Sequence, residues 1–551
     1  MRKTIDTVDV LIIGAGASGG VAAKHLAEQG FGVTVLEQGH WVSQGDLPGL
    51  RSEYEILGSQ QWHPDPNVRN RPEDYPIDIQ DSMAQVGMFN GVGGSTILYA
   101  SCWCRAKPSD FRVRSLDGVA DDWPISYEEL APFYAAVEDE MGVSGHPGNP
   151  AYPPGYNPPL PAHPINEAGR TLAKGMNKLG WHWWPGYNSI PSRDHNEMKQ
   201  CQRLGVCMMG CPVGAKASAD VALFPAAMRH GAKVVTGARV SQVVVNDKGE
   251  ATGAVYIQDG VEYFQAASIV IIAANGIGTP RLLLMSESNL FPDGLANSTG
   301  LVGKRFMTHP FGTSVGLYED SLEDWTGPTG EAIESMQFYE SDPSRGFLRG
   351  SKWHVIPSAS RPIGMINRWT HGEGVDAEPF WGDPFAEKMK ESVGHMIEIM
   401  VMPEDLPEES NFISLDPVLK DSDGLPAPKV TYTTSENTRR LVDFNLERSL
   451  EAHAAAGATK SWITNRNNPS WHNMGTTMMG DDPRTSVTDS YGRSHDVGNL
   501  YIMGGSLFPT ATGVNPTATI CALAKRTAVF IAANAGRHSA AEQSAARRTV
   551  R

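Results

Sequence analysis

Short apolar runs closed by glycine-rich turns dominate the N-terminal part of the chain. Val8, Val10, Leu11, Ile12 and Ile13 form a β-rich run that stops at Gly14; a helical pattern follows from Val21 to Glu28, and a second run over 32–36 ends at Glu37. Strand, glycine turn, helix, strand and acidic residue in that order predict a βαβ unit on a parallel sheet. Residues 231–240 and 268–276 read as further strands, the latter a buried one ending in small residues. From about Met307 to Asn465 the pattern changes. Residues 395–402 and 411–415 alternate and predict strands of one antiparallel sheet, placed as a platform over the nucleotide site. Residues 434–453 predict a helix with Leu441, Phe444, Leu446 and Leu450 inward. The Pro- and Gly-dense stretch 140–164 predicts a loop acting as a lid or partner surface. The Ala-, Ser- and Arg-rich tail 537–551 predicts disorder, and no internal repeat is evident.

A length of 551 residues exceeds the usual ceiling for one hydrophobic core and predicts at least two domains. The formal charge of −16 argues against nucleic acid or an anionic membrane as partner. Val8–Ile13 is too short to span a bilayer or to serve as the apolar core of a signal peptide, so the expected location is the cytoplasm. Six cysteines are too few for a disulfide scaffold.

The first turn reads Gly14-Ala15-Gly16-Ala17-Ser18-Gly19. Gly14 permits the tight turn, Gly16 lets the backbone approach a pyrophosphate, and Gly19 lets helix and strand pack closely. The helix N-terminus would present amides to phosphate, with Ser18 in its first turn. Glu37 would accept from ribose hydroxyls, which disfavours a 2′-phosphate. A second glycine-rich loop, Gly91-Val92-Gly93-Gly94-Ser95-Thr96, and strand ends at Val240 and at Ala274-Asn275 supply further contacts. Several separated nucleotide segments fit extended FAD better than NAD. The fold class expected is α/β (α+β overall), a Rossmann-like FAD-binding domain with a discontinuous antiparallel-sheet substrate domain. The boundaries are 6–306 for the FAD domain with a Cys-rich insertion at 200–215, 307–464 for the substrate domain, 465–536 for the return to the FAD domain, and 537–551 for the tail.

Near the C-terminus stand Trp471-His472-Asn473 and Gly513-Val514-Asn515-Pro516-Thr517. Taken with the segments above, and with Asp122-Trp123-Pro124, residues 303–310 and residues 506–524, they resemble the glucose–methanol–choline (GMC) family of FAD-dependent oxidoreductases. Within it the chain looks nearest the pyranose oxidase, gluconate dehydrogenase and glucoside 3-dehydrogenase branch. The resemblance implies that His472 is the base that takes an alcohol proton while hydride leaves to flavin N5, with Asn515 fixing the hydroxyl and Pro516 and Thr517 near the flavin. Relatives that tether FAD carry a His after the double glycine. This chain has Ile97-Leu98-Tyr99, so non-covalent FAD is expected. Gly504-Gly505 stands where many relatives have an acidic residue.

Cys201, Cys207 and Cys211 form a C-x5-C-x3-C run followed by Pro212. Three thiolates so spaced could ligate an iron–sulfur cluster, and the spacing is similar to that of relatives holding a [3Fe-4S] cluster. A buried loop without metal is the competing reading. The expected activity is oxidation of CH–OH to a carbonyl, with a sugar or glycoside ring hydroxyl (C3 or C2) favoured. The alternatives are a non-sugar primary alcohol, such as an aromatic or amphenicol-like diol, and a non-catalytic electron-transfer flavoprotein. Trp325, Trp353, Trp369 and Trp381 could stack on a sugar, although core packing is the commoner use of such rings. Oxygen, a quinone or dye, and a protein partner are all compatible acceptors, and the resemblance to dehydrogenase relatives implies a small partner subunit that could direct export to the periplasm.

Overall fold

The computed structural model describes residues 3–69, 71–323, 325–356, 363–364 and 382–548, with side chains as far as residue 534. Trp369 and Trp381 therefore lie outside the described residues. A seven-stranded sheet carries the nucleotide half. Its order is Lys233–Val235, Val33–Leu36, Lys3–Ile13, Val261–Ile272, Ala251–Gln258 and Arg239–Val245, with Leu500–Ile502 also on Val261–Ile272. The first four strands run parallel, and Arg239–Val245, Ala251–Gln258 and Val261–Ile272 form an antiparallel meander. Val261–Ile272 serves two neighbours on one edge: its first half pairs with Ala251–Gln258 and its end with Leu500–Ile502. Val10, Leu11 and Ile12 are fully buried, each stabilising this layer by about 1.5–3 kcal/mol. The helix Ala17–Glu28 packs beside the closing helix Thr517–Arg548.

The second sheet has six antiparallel strands in the order Lys460–Met474, Met307–Leu317, Met396–Pro403, Ser351–Ile356, Ile333–Ser335 and Trp184–Pro185. One face is covered by the helix Glu436–Ala456. The approach is close because Gly312 and Gly316 face it: a Cβ there would meet Val442 at 2.8 Å and His453 at 2.5 Å. Successive strand residues point to opposite faces. Phe311 and Thr313 accordingly turn the other way, into the large cavity between the two sheets.

Several expectations are corrected. Residues 411–415 do not join the platform; Phe412–Lys420 pairs with Pro426–Thr431 in a separate ribbon. The strand Lys460–Met474 runs across the boundary expected at 464–465, and Trp184–Pro185 joins the second sheet from far upstream. Leu441 and Leu446 are buried with Val442, whereas Phe444 and Leu450 are only half-buried. The 140–164 stretch is anchored by the buried Tyr152 and Tyr156, with Arg105 stacked 4.1 Å over the Tyr156 ring, while Pro147, Gly148 and Pro154 stay exposed. In place of a disordered tail, the final helix continues to Arg548, consistent with the high helix propensity of its alanines. Trp353 is a core residue, packed against Trp181 and 1% exposed, so it offers no sugar platform. Among the described residues no helix is long and apolar enough to cross a membrane.

Candidate active site

One cavity of about 340 Å3 runs from the first glycine turn to His472 and Asn515. At its nucleotide end the residues fit FAD. The helix Ala17–Glu28 begins at Gly16 with no side-chain cap, leaving its first amides available to an anionic ligand. A Cβ on Gly16 would meet nothing within 4 Å, while one on Gly94 would strike the Gly16 backbone at 2.8 Å. The two glycine loops thus touch and leave an open cradle beside them. Gly14, at φ +107°, and Gly19 lie against backbone carbonyls, which only a missing side chain permits. Gly93 is a turn residue at φ +106° whose amide donates to Ala15 O, and it stands behind the cavity wall as Gly19 does. Gly14, Gly16, Ser18, Glu37, Gly94, Ser95, Val240, Ala274, Asn275, Pro516 and Thr517 all line the cavity. Glu37 has a further duty: its two oxygens accept the amides of Ala15 and Gly39, both at 2.8 Å. Burial raises its pKa against those amides. Asn473 Oδ1 is buried at the same wall without a partner among the described residues.

At the other end His472 lies near the end of the strand Lys460–Met474 in a left-handed conformation, φ +68°, which a non-glycine residue adopts only when its surroundings enforce it. The antiparallel partner strand brings His309 opposite Trp471 through a register shift. The two imidazoles meet at right angles, with Nδ1 to Nδ1 at 2.6 Å. His309 Nε2 lies 2.9 Å from the Thr512 carbonyl. A carbonyl only accepts, so His309 must carry its proton on Nε2. Burial pushes His309 down to about 4; neutral at working pH, it presents a bare Nδ1. His472 must then donate from Nδ1, which leaves its Nε2 as a lone pair. Burial, followed by His309, His354 and Lys352, holds His472 well below the usual imidazole range.

Asn515 precedes the final helix, in a loop pinned by Gly513 N donating to Tyr339 Oη at 2.9 Å. Tyr339 donates in turn to Asp110, which receives the buried Arg349. Lys352 Nζ lies 3.1 Å from Asn515 Oδ1. A lysine ammonium only donates, so the amide NH2 of Asn515 is the end left for the cavity. Lys352 is fully buried among Cys104, Glu331 and Glu334. Burial works against its charge, but those three neighbours hold its pKa well above the ordinary value. Burial also raises Glu331, yet Lys352 and His354 outweigh it and keep the carboxyl below its ordinary value. Burial and Glu331 push Glu334 up to about 7 against Lys352. This buried cluster was missed in the sequence. Its one signal was Lys352 and His354, two ionisable residues two apart and interleaved with Trp353 and Val355.

Cys201, Cys207 and Cys211 do not reach this cavity. They line a second one, of about 20 Å3, together with the buried Lys216. The amides of Arg203 and Ala215 donate to the sulfurs of Cys201 and Cys211, each at 3.3 Å. All six cysteines are free.

Two family models described as GMC oxidoreductase match the chain, one over residues 8–311 and one over 407–524. The 2-methyl-1,2-propanediol dehydrogenase of Mycolicibacterium austroafricanum is 40% identical over 96% of this chain and 96% of its own length. The fructose dehydrogenase large subunit of Gluconobacter japonicus is 31% identical over 95% of this chain and 97% of its own. Among solved structures, pyridoxine 4-oxidase from Mesorbium loti superposes with a TM-score of 0.66 at 17% identity, covering 95% of this chain and 98% of that one.

Proposed function

The chain belongs to the GMC oxidoreductase family of FAD-dependent enzymes acting on alcohols, and on that premise we propose that it oxidises a hydroxyl of a small diol, with His472 as base. The observation that carries this is the directed proton chain from His472 through His309 to Thr512 O. Bound FAD would supply the hydride acceptor at N5. The protein supplies the rest. His472 Nε2 takes the hydroxyl proton, and its Nδ1–H remains held by His309, so the imidazolium that forms is oriented as it arises. The Asn515 NH2 donates to the reacting oxygen and fixes the C–H bond to be broken. Gly14, Gly16, Ser18, Gly94, Ser95, Ala274 and Asn275 would hold the nucleotide, with Glu37 and Val240 at the adenosine side and Pro516 and Thr517 at the ring.

A diol is favoured over a sugar because the diol dehydrogenase relative is the more similar and because Phe311, Ile356, Met400 and Trp471 wall the space beyond His472. A sugar is the second reading, supported by the fructose dehydrogenase relative. FAD is held without a covalent bond: Leu98 and Tyr99 face the cavity where a tethering His would stand, and acid precipitation should leave the flavin in solution. From their spacing we propose Cys201, Cys207 and Cys211 as three ligands of an iron–sulfur cluster; iron and sulfide analysis of anaerobically purified protein tests this.

The functional test is anaerobic mixing of FAD-loaded protein with panels of small 1,2-diols, sugars and aryl alcohols while the visible flavin band is followed. The diols should bleach it fastest. No bleaching by any alcohol would overturn the proposal, and faster bleaching by sugars would favour the second reading.

A further inference from the structure

His354 sits on the cavity face of the second sheet, in a cross-strand row with Thr313, Met400 and Glu334. It is 2% exposed and lines the same cavity as His472 and Asn515. Its Nε2 has no partner among the described residues. A buried ring nitrogen without a partner, on a side chain that lines a cavity, is costly unless a ligand completes it. Its other nitrogen is spoken for: Nδ1 lies against Glu331 Oε1. Glu331 is a carboxylate, held so by Lys352, which meets the same oxygen Oε1, and a carboxylate only accepts. Nδ1 therefore carries the proton and Nε2 is a lone pair, on a ring that lines the cavity.

The same lysine holds Asn515 by its oxygen. One buried ammonium thus orders two neighbouring groups in opposite senses, an amide donor on Asn515 and, through Glu331, an imidazole acceptor on His354. With the lone pair on His472, the wall offers two hydrogen-bond acceptors and one donor group with two hydrogens. That set matches two hydroxyls. Each O–H proton has its own imidazole, and the amide can serve the oxygens. A single hydroxyl would satisfy His472 and Asn515 and leave His354 bare. An ammonium could also donate to His354, but the fixed charge of Lys352 next to it opposes a second cation.

We infer that His354, set by the Glu331–Lys352 pair, is a specificity-determining residue that accepts a hydrogen bond from a second hydroxyl of the substrate, next to the one oxidised. This rests on the proposed alcohol oxidation at His472 and adds the side chain that reads the second hydroxyl of a vicinal diol, or of the matching pair on a polyol. Leaving a buried acceptor unpaired should lower kcat/KM on the order of 10- to 100-fold.

The test uses the FAD-loaded wild-type enzyme with an artificial electron acceptor and three substrates: propane-1,2-diol, propan-1-ol and 2-methoxypropan-1-ol. The ether keeps the second oxygen but cannot donate. The expected result is that both the deoxy compound and the ether fall at least tenfold below the diol in kcat/KM. His354→Leu should then shrink the diol-to-deoxy ratio at least fivefold, and His354→Gln, which keeps an acceptor near the place of Nε2, should restore part of it. If the ether or propan-1-ol matches the diol in the wild type, the inference is overturned whether or not the variants fold. It is overturned equally if a folded, FAD-loaded His354→Leu keeps the wild-type ratio. Were no alcohol oxidised at all, the proposed function itself would fail, an outcome distinct from oxidation without preference for a second hydroxyl.

Discussion

Replacing His309 by leucine removes the acceptor that fixes the proton of His472. The bond lost is the 2.6 Å contact between the two Nδ1 atoms. The ring of His309 is wholly buried, so water does not readily replace it. Two consequences follow. The His472 Nδ1–H is left unpaired, at a cost of about 1–3 kcal/mol. The imidazole can then move its proton to Nε2, where it can no longer accept from the substrate. At about 1.4 kcal/mol per tenfold, the rate constant for flavin reduction should drop roughly 5- to 150-fold. The loss should fall on that rate constant more than on substrate affinity, since His309 does not face the cavity. Anaerobic stopped-flow at saturating diol measures it, with flavin content and circular dichroism confirming that the variant is loaded and folded. His309→Asn, which keeps a carbonyl acceptor, should recover part of the rate. A loaded His309→Leu enzyme that reduces its flavin within twofold of wild type would refute the tautomer chain.

Other outcomes can be stated briefly. His472 is held well below 6.5 by burial first and by His309, His354 and Lys352 next, and as the proposed base it would act unprotonated; flavin reduction should therefore be flat above pH 6.5 and fall only at lower pH, which an acid limb centred above 6.5 would contradict. Gly16→Val should abolish FAD retention, read from the flavin-to-protein absorbance ratio, while the apoprotein melts near its wild-type temperature, because the added side chain enters the open cradle rather than the core. Arg349→Met should destabilise the fold by about 3–5 kcal/mol in denaturant titration, because it strands the buried Asp110, Asp117 and Glu404 carboxyls that Arg349 now joins. His453 is pushed down to about 3 by burial, so the unfolded chain takes its proton from 6.5 downward while the folded one does not. Stability from this group is full above 6.5 and is lost as pH falls toward 3. His453→Gln should remove about one proton's worth of that slope.

The nucleotide half was legible because its chemistry is local. The glycine turn, the helix behind it and Glu37 lie within one short stretch; Gly14 and Gly19 answer to contacts that a side chain would break, and Gly16 to the open cradle. His472 and Asn515 were legible only through the family resemblance, since nothing near them in the chain shows what they face. The Lys352 cluster is non-local: Cys104, the 331–334 stretch and Asn515 reach it from separate segments, and only the tertiary fold assembles them. The same reason hides His309, which lies 163 positions from His472 and meets it through a register shift. Assigning 411–415 to the platform failed because alternation shows that a run is a strand and not which sheet it joins.

The most direct measurement is anaerobic flavin reduction by a 1,2-diol in wild-type protein and in His472→Ala. With His472 as the base, the wild type should bleach its flavin, and the variant should bind FAD fully yet bleach at least a hundredfold more slowly. Bleaching of the FAD-loaded variant within a few fold of wild type would contradict the assignment of His472.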